Sequence, residues 1–240
     1  MENNYKILEW DSQFFGYKVA YLKPWNLEPA RLKEIIADMK NNGVALAYCS
    51  VNPDDEVSNL SLANDNRFLA DQKITFFTSI EDEHNYIFSG NIMPYKSEYT
   101  SEKLKSLALQ SGLYSRFKVD PHFVNGEFEK LYAEWIEKSV KKNISDEILV
   151  YYLHDDEKGF VSLGVKNGIG SIGLIAVDEL ERGKSIGKEL MIAALDFFKT
   201  KKLSEVEVVT QKANYIACEF YKTLGFGVKS IENIYHLWIK

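Results

Sequence analysis

Two cysteines, five prolines and four histidines are all that the 240 residues contain of these types. Two cysteines cannot frame a fold by disulfides. Cys49 and Cys218 each sit inside an apolar-periodic segment, so they read as buried thiols in a reducing compartment. His84, His122, His154 and His236 are dispersed, and no metal-ligand spacing joins them to either cysteine, so no metal is expected. No apolar run reaches the ~18–20 residues that cross a bilayer; the densest, 44–49 and 172–177, are strand-sized. The opening MENNYKILEWDSQFF lacks the basic start, apolar centre and small-residue cleavage site of a secretory signal. These absences together point to a cytosolic protein without a membrane partner. A basic surplus is missing too: the net charge is −6 and the pI about 5.4. A chain that lives on phosphate backbones normally carries positive excess, so nucleic acid is not an expected partner, although a single nucleotide stays compatible.

What is present is an ordinary globular composition, 45% hydrophobic and 27% charged. At roughly 150 residues per domain the length suits one large domain or two small ones. Pro29 with Leu32, Ile35, Ile36 and Met39 predicts an amphipathic helix closed by Asn41, Asn42 and Gly43. A strand over 44–51, a short helix over 58–66 and a strand over 72–79 follow. Residues 84–100 read as a loop or linker, and a domain boundary is placed there, giving 1–100 and 101–240. The second portion reads as helix 101–111, a join at Asp120-Pro121 that disfavours helix, and helix 128–140. Strands are expected over 148–153, 159–166 and 171–177, the last two joined by Asn167-Gly168, a strong hairpin signal. Helix 186–201, strand 206–210, helix 214–224 closed by Gly225, and strands around 226–229 and 234–239 complete the chain. A faint echo relates DNRFLADQKITF to TLGFGVKSIENI, compatible with a degenerate second copy of one unit. The fold class is α/β (α+β).

The informative stretch is GSIGLIAVDELERGKSIGKELMIAAL. A buried strand runs through a loop with Gly183 and Gly187 directly into an amphipathic helix. Free amides at a helix start, with the positive end of its dipole, make an anion site, and glycines let the backbone close on a phosphate. Arg182, Lys184 and Lys188 gather positive charge there. The bland alternative is an ordinary strand-to-helix turn with solvated lysines. Gly183-Lys184-Ser185 also invites a P-loop reading, but the opening glycine of that pattern falls on Asp178, and Asp178, Glu179 and Glu181 would repel phosphates at short range. The P-loop reading fails.

Arg182-Gly183-Lys184-Ser185-Ile186-Gly187 resembles the acyl-CoA motif of the GNAT (GCN5-related) N-acetyltransferase superfamily, with Ser185 in place of the middle glycine. A second block, VTQKANYIACEFYKTLGF, with Asn214, Tyr221 and Gly225-Phe226, is similar to the family at the next strand and helix. LEWDSQFFG, SGLYSRFKVDP, LYAEWIEKSV, GLIAV and YHLW resemble the branch that acetylates nucleotide amino-deoxysugars. The resemblance implies a GNAT fold, a mixed twisted sheet flanked by helices, with a smaller N-terminal α/β domain. It implies acetyl-CoA as cosubstrate, a nucleotide-linked amine as acceptor and a homodimer.

On that resemblance the strand ending in Ile175, Ala176 and Val177 splays from strand 206–210. Pantetheine lies in the slot, with amides near Ala176 and Val177 polarising the thioester carbonyl. The pyrophosphate rests on Arg182, Gly183, Lys184, Ser185, Ile186, Gly187 and Lys188. Tyr221 is the expected general acid for the CoA thiolate; its alternative is a core tyrosine on an amphipathic helix. Asn214 reads as a pantetheine contact, a helix N-cap, or both. Tyr114, Arg116, Asp120 and His236 are the expected acceptor contacts. Arg116 and Asp120 are equally readable as a structural ion pair, and His236 as a packed core residue. The general base is left unassigned. A GNAT acting on an amino acid, polyamine or antibiotic stays open, as does a domain that binds acyl-CoA without turnover.

Overall fold

The computed structural model describes residues 4–23, 26–65, 67–81 and 86–239; His84 and the predicted helix end at Asn66 lie outside them. The chain forms two compact units, one of residues 1–74 with 211–213 and 230–240, the other of 75–210 with 214–229. Residues 75–100, grouped with the N-terminal portion in the sequence reading, therefore cluster with the second unit, and 230–240 with the first.

In the first unit, β1 (Tyr5–Ile7), α1 (Glu9–Phe15), β2 (Lys18–Leu22), α2 (Pro29–Asn41), β3 (Val44–Val51) and α3 (Glu56–Asn64) are followed by the start of β4 (Phe68–Ser79). Pro29 opens α2 at its first turn, where a missing amide costs nothing, and Leu32, Ile35 and Met39 face inward at helical spacing. They close on Ala47, Cys49 and Val51 of β3 and on Tyr235 and Leu237. Burial pushes the Cys49 thiol up to about 12, so it packs as an inert small hydrophobe. β1 pairs antiparallel with β2, and β2 parallel with β3.

The second unit continues with β5 (Ile92–Pro94), α4 (Glu102–Ser111), α5 (Arg116–Val119), α6 (Glu127–Val140), β6 (Glu147–Leu153), β7 (Asp156–Lys166), β8 (Ile169–Val177), one 3₁₀ turn (Glu179–Glu181), α7 (Ile186–Thr200), β9 (Glu205–Gln211), α8 (Tyr215–Thr223) and the start of β10 (Gly227–Trp238). Its strand order is β4-β9-β8-β7-β6-β5. β5 through β8 pair antiparallel and β8 pairs parallel with β9. Asn167 and Gly168 both take positive φ, 53° and 79°, as the turn between β7 and β8 requires. Leu104, Leu107 and Ala108 of α4 and Ile136 of α6 pack on Ile148, Val150, Phe160 and Ala176 of the sheet. β5 falls inside the predicted linker, and the two predicted C-terminal strands are one continuous β10. The echo noted above falls on β4 and β10. The first starts in unit one and ends in unit two; the second does the reverse. Among the described residues no helix is long and apolar enough to cross a membrane.

Candidate active site

The site begins with an extra residue in β8. Leu163 pairs with Ile172 and Val161 with Ile175, so Gly173 and Leu174 together oppose Ser162 alone. That is a β-bulge, which bends its strand and sharpens the local twist. Ser162 is buried, and its Oγ accepts the Leu174 amide at 2.7 Å, replacing the ladder bond that the bulge removes. Residue 173 has to be glycine for this: a Cβ there would stand 2.8 Å from Ser162 Oγ.

The bulge lies where β8 leaves β9. These strands share register only over Gly170–Ile172 with Val206–Val208. Beyond it, among the described residues, 173–177 and 209–210 are not paired with each other. Two parallel strands that stop pairing midway expose facing rows of peptide groups, which an extended chain can enter as an added strand.

The turn after β8 is stiffened from below. The buried Asp178 carboxylate pairs with Lys103 of α4 and accepts the Leu180 amide at 3.0 Å. The Lys103 ammonium first, then that amide, hold the carboxyl below its ordinary value. The Asp178 charge is therefore met by Lys103, and Glu181 pairs with Lys184 at 2.7 Å. Arg182 donates through Nε to the Val177 carbonyl and through Nη2 to Gln110, both at 3.2 Å. Gly183 and Ser185 take left-handed φ of 81° and 64°, folding the loop back over the start of α7. Glu189 donates to the Ser185 carbonyl at 3.1 Å, so the amides of Ile186, Gly187 and Lys188 precede the helical ladder and offer donors to an anion.

α8 closes the other side. Asn214 caps it, its Oδ1 accepting the Ala217 amide at 3.2 Å. Phe220 reaches the start of α7, where a Cβ on Gly187 would stand 3.3 Å from its ring. Tyr221 is buried among Phe76, Phe220 and Phe226, with ring centroids at 5.5, 5.5 and 6.0 Å. This burial pushes its phenol well above the ordinary tyrosine value, so it keeps its proton at neutral pH.

The family model described as "Acetyltransferase (GNAT) family" matches residues 113–226, the segment that contains the bulge, the loop and α8. The chain carries a GNAT acetyltransferase domain. It is an acyl-CoA-dependent N-acetyltransferase. The dTDP-fucosamine acetyltransferase of Escherichia coli O6:H1 is 24% identical over 225 residues, 93% of each chain. A spore coat polysaccharide biosynthesis protein of Bacillus subtilis is 24% identical over 58% of this chain and 47% of its own. The crystal structure of a GCN5-related N-acetyltransferase from Sphaerobacter thermophilus superposes with a TM-score of 0.63 at 11% identity, covering 98% of this chain and 76% of that one.

Within this acetyltransferase domain Ile175, Ala176 and Val177 end β8, residues 182–188 lead into α7, and Phe220 of α8 packs at Gly187. Of the residues expected at the acceptor, Tyr114 is exposed, and the Arg116 guanidinium lies 4.7 Å over the Phe117 ring. Asp120 is buried, and its Oδ1 accepts the His122 amide at 3.0 Å and lies 2.8 Å from His122 Nδ1. His236 belongs to the first unit, where it is 1% exposed and its ring sits 5.0 Å from that of Tyr48. A cleft of about 600 Å³ opens on the α6 side of the bulge, walled by Trp135, Ser139, Asn143, Ser162, Gly173 and Leu174. Sequence reasoning gave Ser162 and Gly173 no part in the site. A glycine inside a strand pattern is a bulge signal, and Gly173 carried it unread.

Proposed function

We propose that this acetyltransferase domain moves the acetyl group of acetyl-CoA onto the amine of a nucleotide-linked amino-deoxysugar, such as dTDP-4-amino-4,6-dideoxygalactose, by direct attack in a ternary complex. The observation that carries the reading is the three-pair register of β8 and β9, broken at a bulge that Ser162 stabilises. It leaves an open peptide edge leading to the unladdered amides of α7, the shape of an extended pantetheine arm ending in a pyrophosphate. The edge at Ile175, Ala176 and Val177 is the pantetheine contact, and residues 182–188 are the pyrophosphate seat. Asn214, besides capping α8, faces the arm.

Tyr221 donates the proton that the departing thiolate needs, a role that suits a phenol held neutral by burial. Orienting amine and thioester in one complex supplies much of the rate. The sugar-nucleotide acceptor is supported by the Escherichia coli relative, which aligns over nearly the full length of both chains. Tyr114 and Arg116 are the acceptor contacts in this reading. A cytosolic location, where Cys49 and Cys218 stay thiols, and a homodimer belong to the same proposal.

The test is the mass of the product formed from acetyl-CoA and dTDP-4-amino-4,6-dideoxygalactose, run beside UDP-amino sugars, amino acids and polyamines. Acetylation confined to the non-sugar amines overturns the acceptor, and a CoA titration without heat overturns the reading altogether.

A further inference from the structure

Acyl transfer to an amine releases a proton that no residue assigned so far accepts. The amine reaches the site largely as ammonium and has to lose one proton before its lone pair can attack. The nitrogen loses a second as the amide forms, balanced by the proton that Tyr221 gives the thiolate. A base is therefore needed for the first.

Asp120 and His122 form a pair suited to it. The Asp120 side chain is fully buried and His122 is 44% exposed. A carboxylate has only lone pairs to offer, so the 2.8 Å contact puts the hydrogen on Nδ1 and the imidazole lone pair on Nε2. Pro121 stiffens the link between them, and the His122 amide on the same Oδ1, at 3.0 Å, limits how the ring can turn. The next residue, Phe123, packs 5.6 Å from Phe117, and Phe117 meets Trp135 edge-on at 6.1 Å. Trp135 is a wall of the cleft that reaches Gly173 and Leu174 at the bulge. Two ring contacts thus tie the histidine loop to the space beside the open edge of β8.

We propose that His122, oriented by Asp120, is the base that takes the ammonium proton of an acceptor bound in this cleft. The inference rests on the acetyl-transfer reading above. Nε2 receives the proton, the amine nitrogen forms the C–N bond as the C–S bond breaks, and the imidazolium returns its proton to water. The charged groups around the loop are Asp120 itself, Arg116 and Lys118 on α5, and Glu127, Glu129 and Lys130 on α6: Glu127 accepts the Asn125 amide at 2.7 Å, Lys130 donates to the Asn125 carbonyl at 3.0 Å, and Glu129 pairs with Lys118 at 3.1 Å.

A purely structural role is distinguishable. Asp120 also closes a turn, since the Phe123 amide donates to its carbonyl at 3.2 Å, and in that case the His122 ring is a bystander. The experiment measures kcat against pH for the wild type and for His122→Ala and His122→Gln, with acetyl-CoA and dTDP-4-amino-4,6-dideoxygalactose both saturating, so that ionisation of the free amine drops out. His122 lies on the surface, so both variants are expected to fold. The expected result is a fall in kcat of about 10²-fold or more, loss of the acidic limb of the profile, partial rescue of His122→Ala by added imidazole, and an unchanged CoA Kd by calorimetry. Variants that keep the wild-type kcat and the wild-type profile overturn the inference. Wild-type turnover and CoA heat, read in the same experiment, report separately on acetyl transfer itself.

Discussion

Ser162 Oγ accepts the Leu174 amide at 2.7 Å across the one place where β8 carries a residue too many. The hydroxyl does what a backbone carbonyl would do in a regular ladder, and so makes the bulge an affordable conformation. Because the bulge coincides with the last β8–β9 pair, a side chain on β7 controls where the slot begins.

Replacing Ser162 by Ala leaves that part-buried amide without its side-chain partner, at a cost of about 1 kcal/mol. Thermal unfolding should register the loss, and kcat should fall more than acetyl-CoA affinity, because the pyrophosphate seat proposed at 182–188 is untouched. Gly173→Ala, whose Cβ would press on the same hydroxyl, should reproduce the kcat defect. Wild-type kcat in both variants would separate the bulge from the chemistry.

Ser185 occupies a left-handed conformation, φ 64°, that costs an L-residue about 1–2 kcal/mol. Ser185→Gly should be neutral to stabilising by up to about 1 kcal/mol, the relief being offset in part by a looser unfolded chain. Ser185→Val, β-branched at positive φ, should destabilise the loop and weaken CoA binding. Urea unfolding and calorimetry with CoA, read on both variants, test for these opposite signs.

Tyr221→Phe removes only a hydroxyl from a ring cluster, so stability and CoA affinity should hold while kcat drops by about 10²–10⁴-fold. The raised phenol pKa sets a sign on stability as well. Above the ordinary value of 10.0 the unfolded tyrosine ionises while the folded one does not, so the fold loses stability as pH rises beyond that point. The phenylalanine variant should lose less of it, measured by chemical denaturation between pH 8 and 11.

Asp178 carries the opposite dependence. Its folded carboxyl sits below the ordinary 3.8, so its contribution is present above that value and disappears as pH falls through the folded one. Lys103→Met leaves the carboxylate buried without its cation. Stability at pH 7 should drop by about 1–3 kcal/mol, and the variant should lose less on acidification than the wild type does. Parallel pH-dependent slopes for the two proteins would rule out this ion pair as the source.

Local chemistry was legible wherever a short stretch of chain decides its own shape. Pro29 and the inward spacing of Leu32, Ile35 and Met39 make α2 whatever surrounds it; Asn167-Gly168 makes its turn; Asp120-Pro121 ends α5. The 182–187 loop reads as a candidate anion site because glycines and basic residues stand before an amphipathic helix, and α7 does start there. Asn214 and Tyr221 were placed on one helix by their position in a motif; Asn214 caps α8 and Tyr221 lies buried on it.

Tertiary structure decided whatever depends on a partner distant in sequence. Only the register of β7 against β8 makes Gly173 a bulge residue and Ser162 its support, because pairing offsets are set between strands and not within one. Only burial turns Asp120 inward onto His122 and Asp178 onto Lys103, two carboxylates that look equally solvent-facing in the sequence. β10 runs unbroken through Ser230 because pairing along the strand overrides a weak propensity there, and its far half packs with the first unit, where Tyr235 and Leu237 complete a core that residues 1–74 do not close alone.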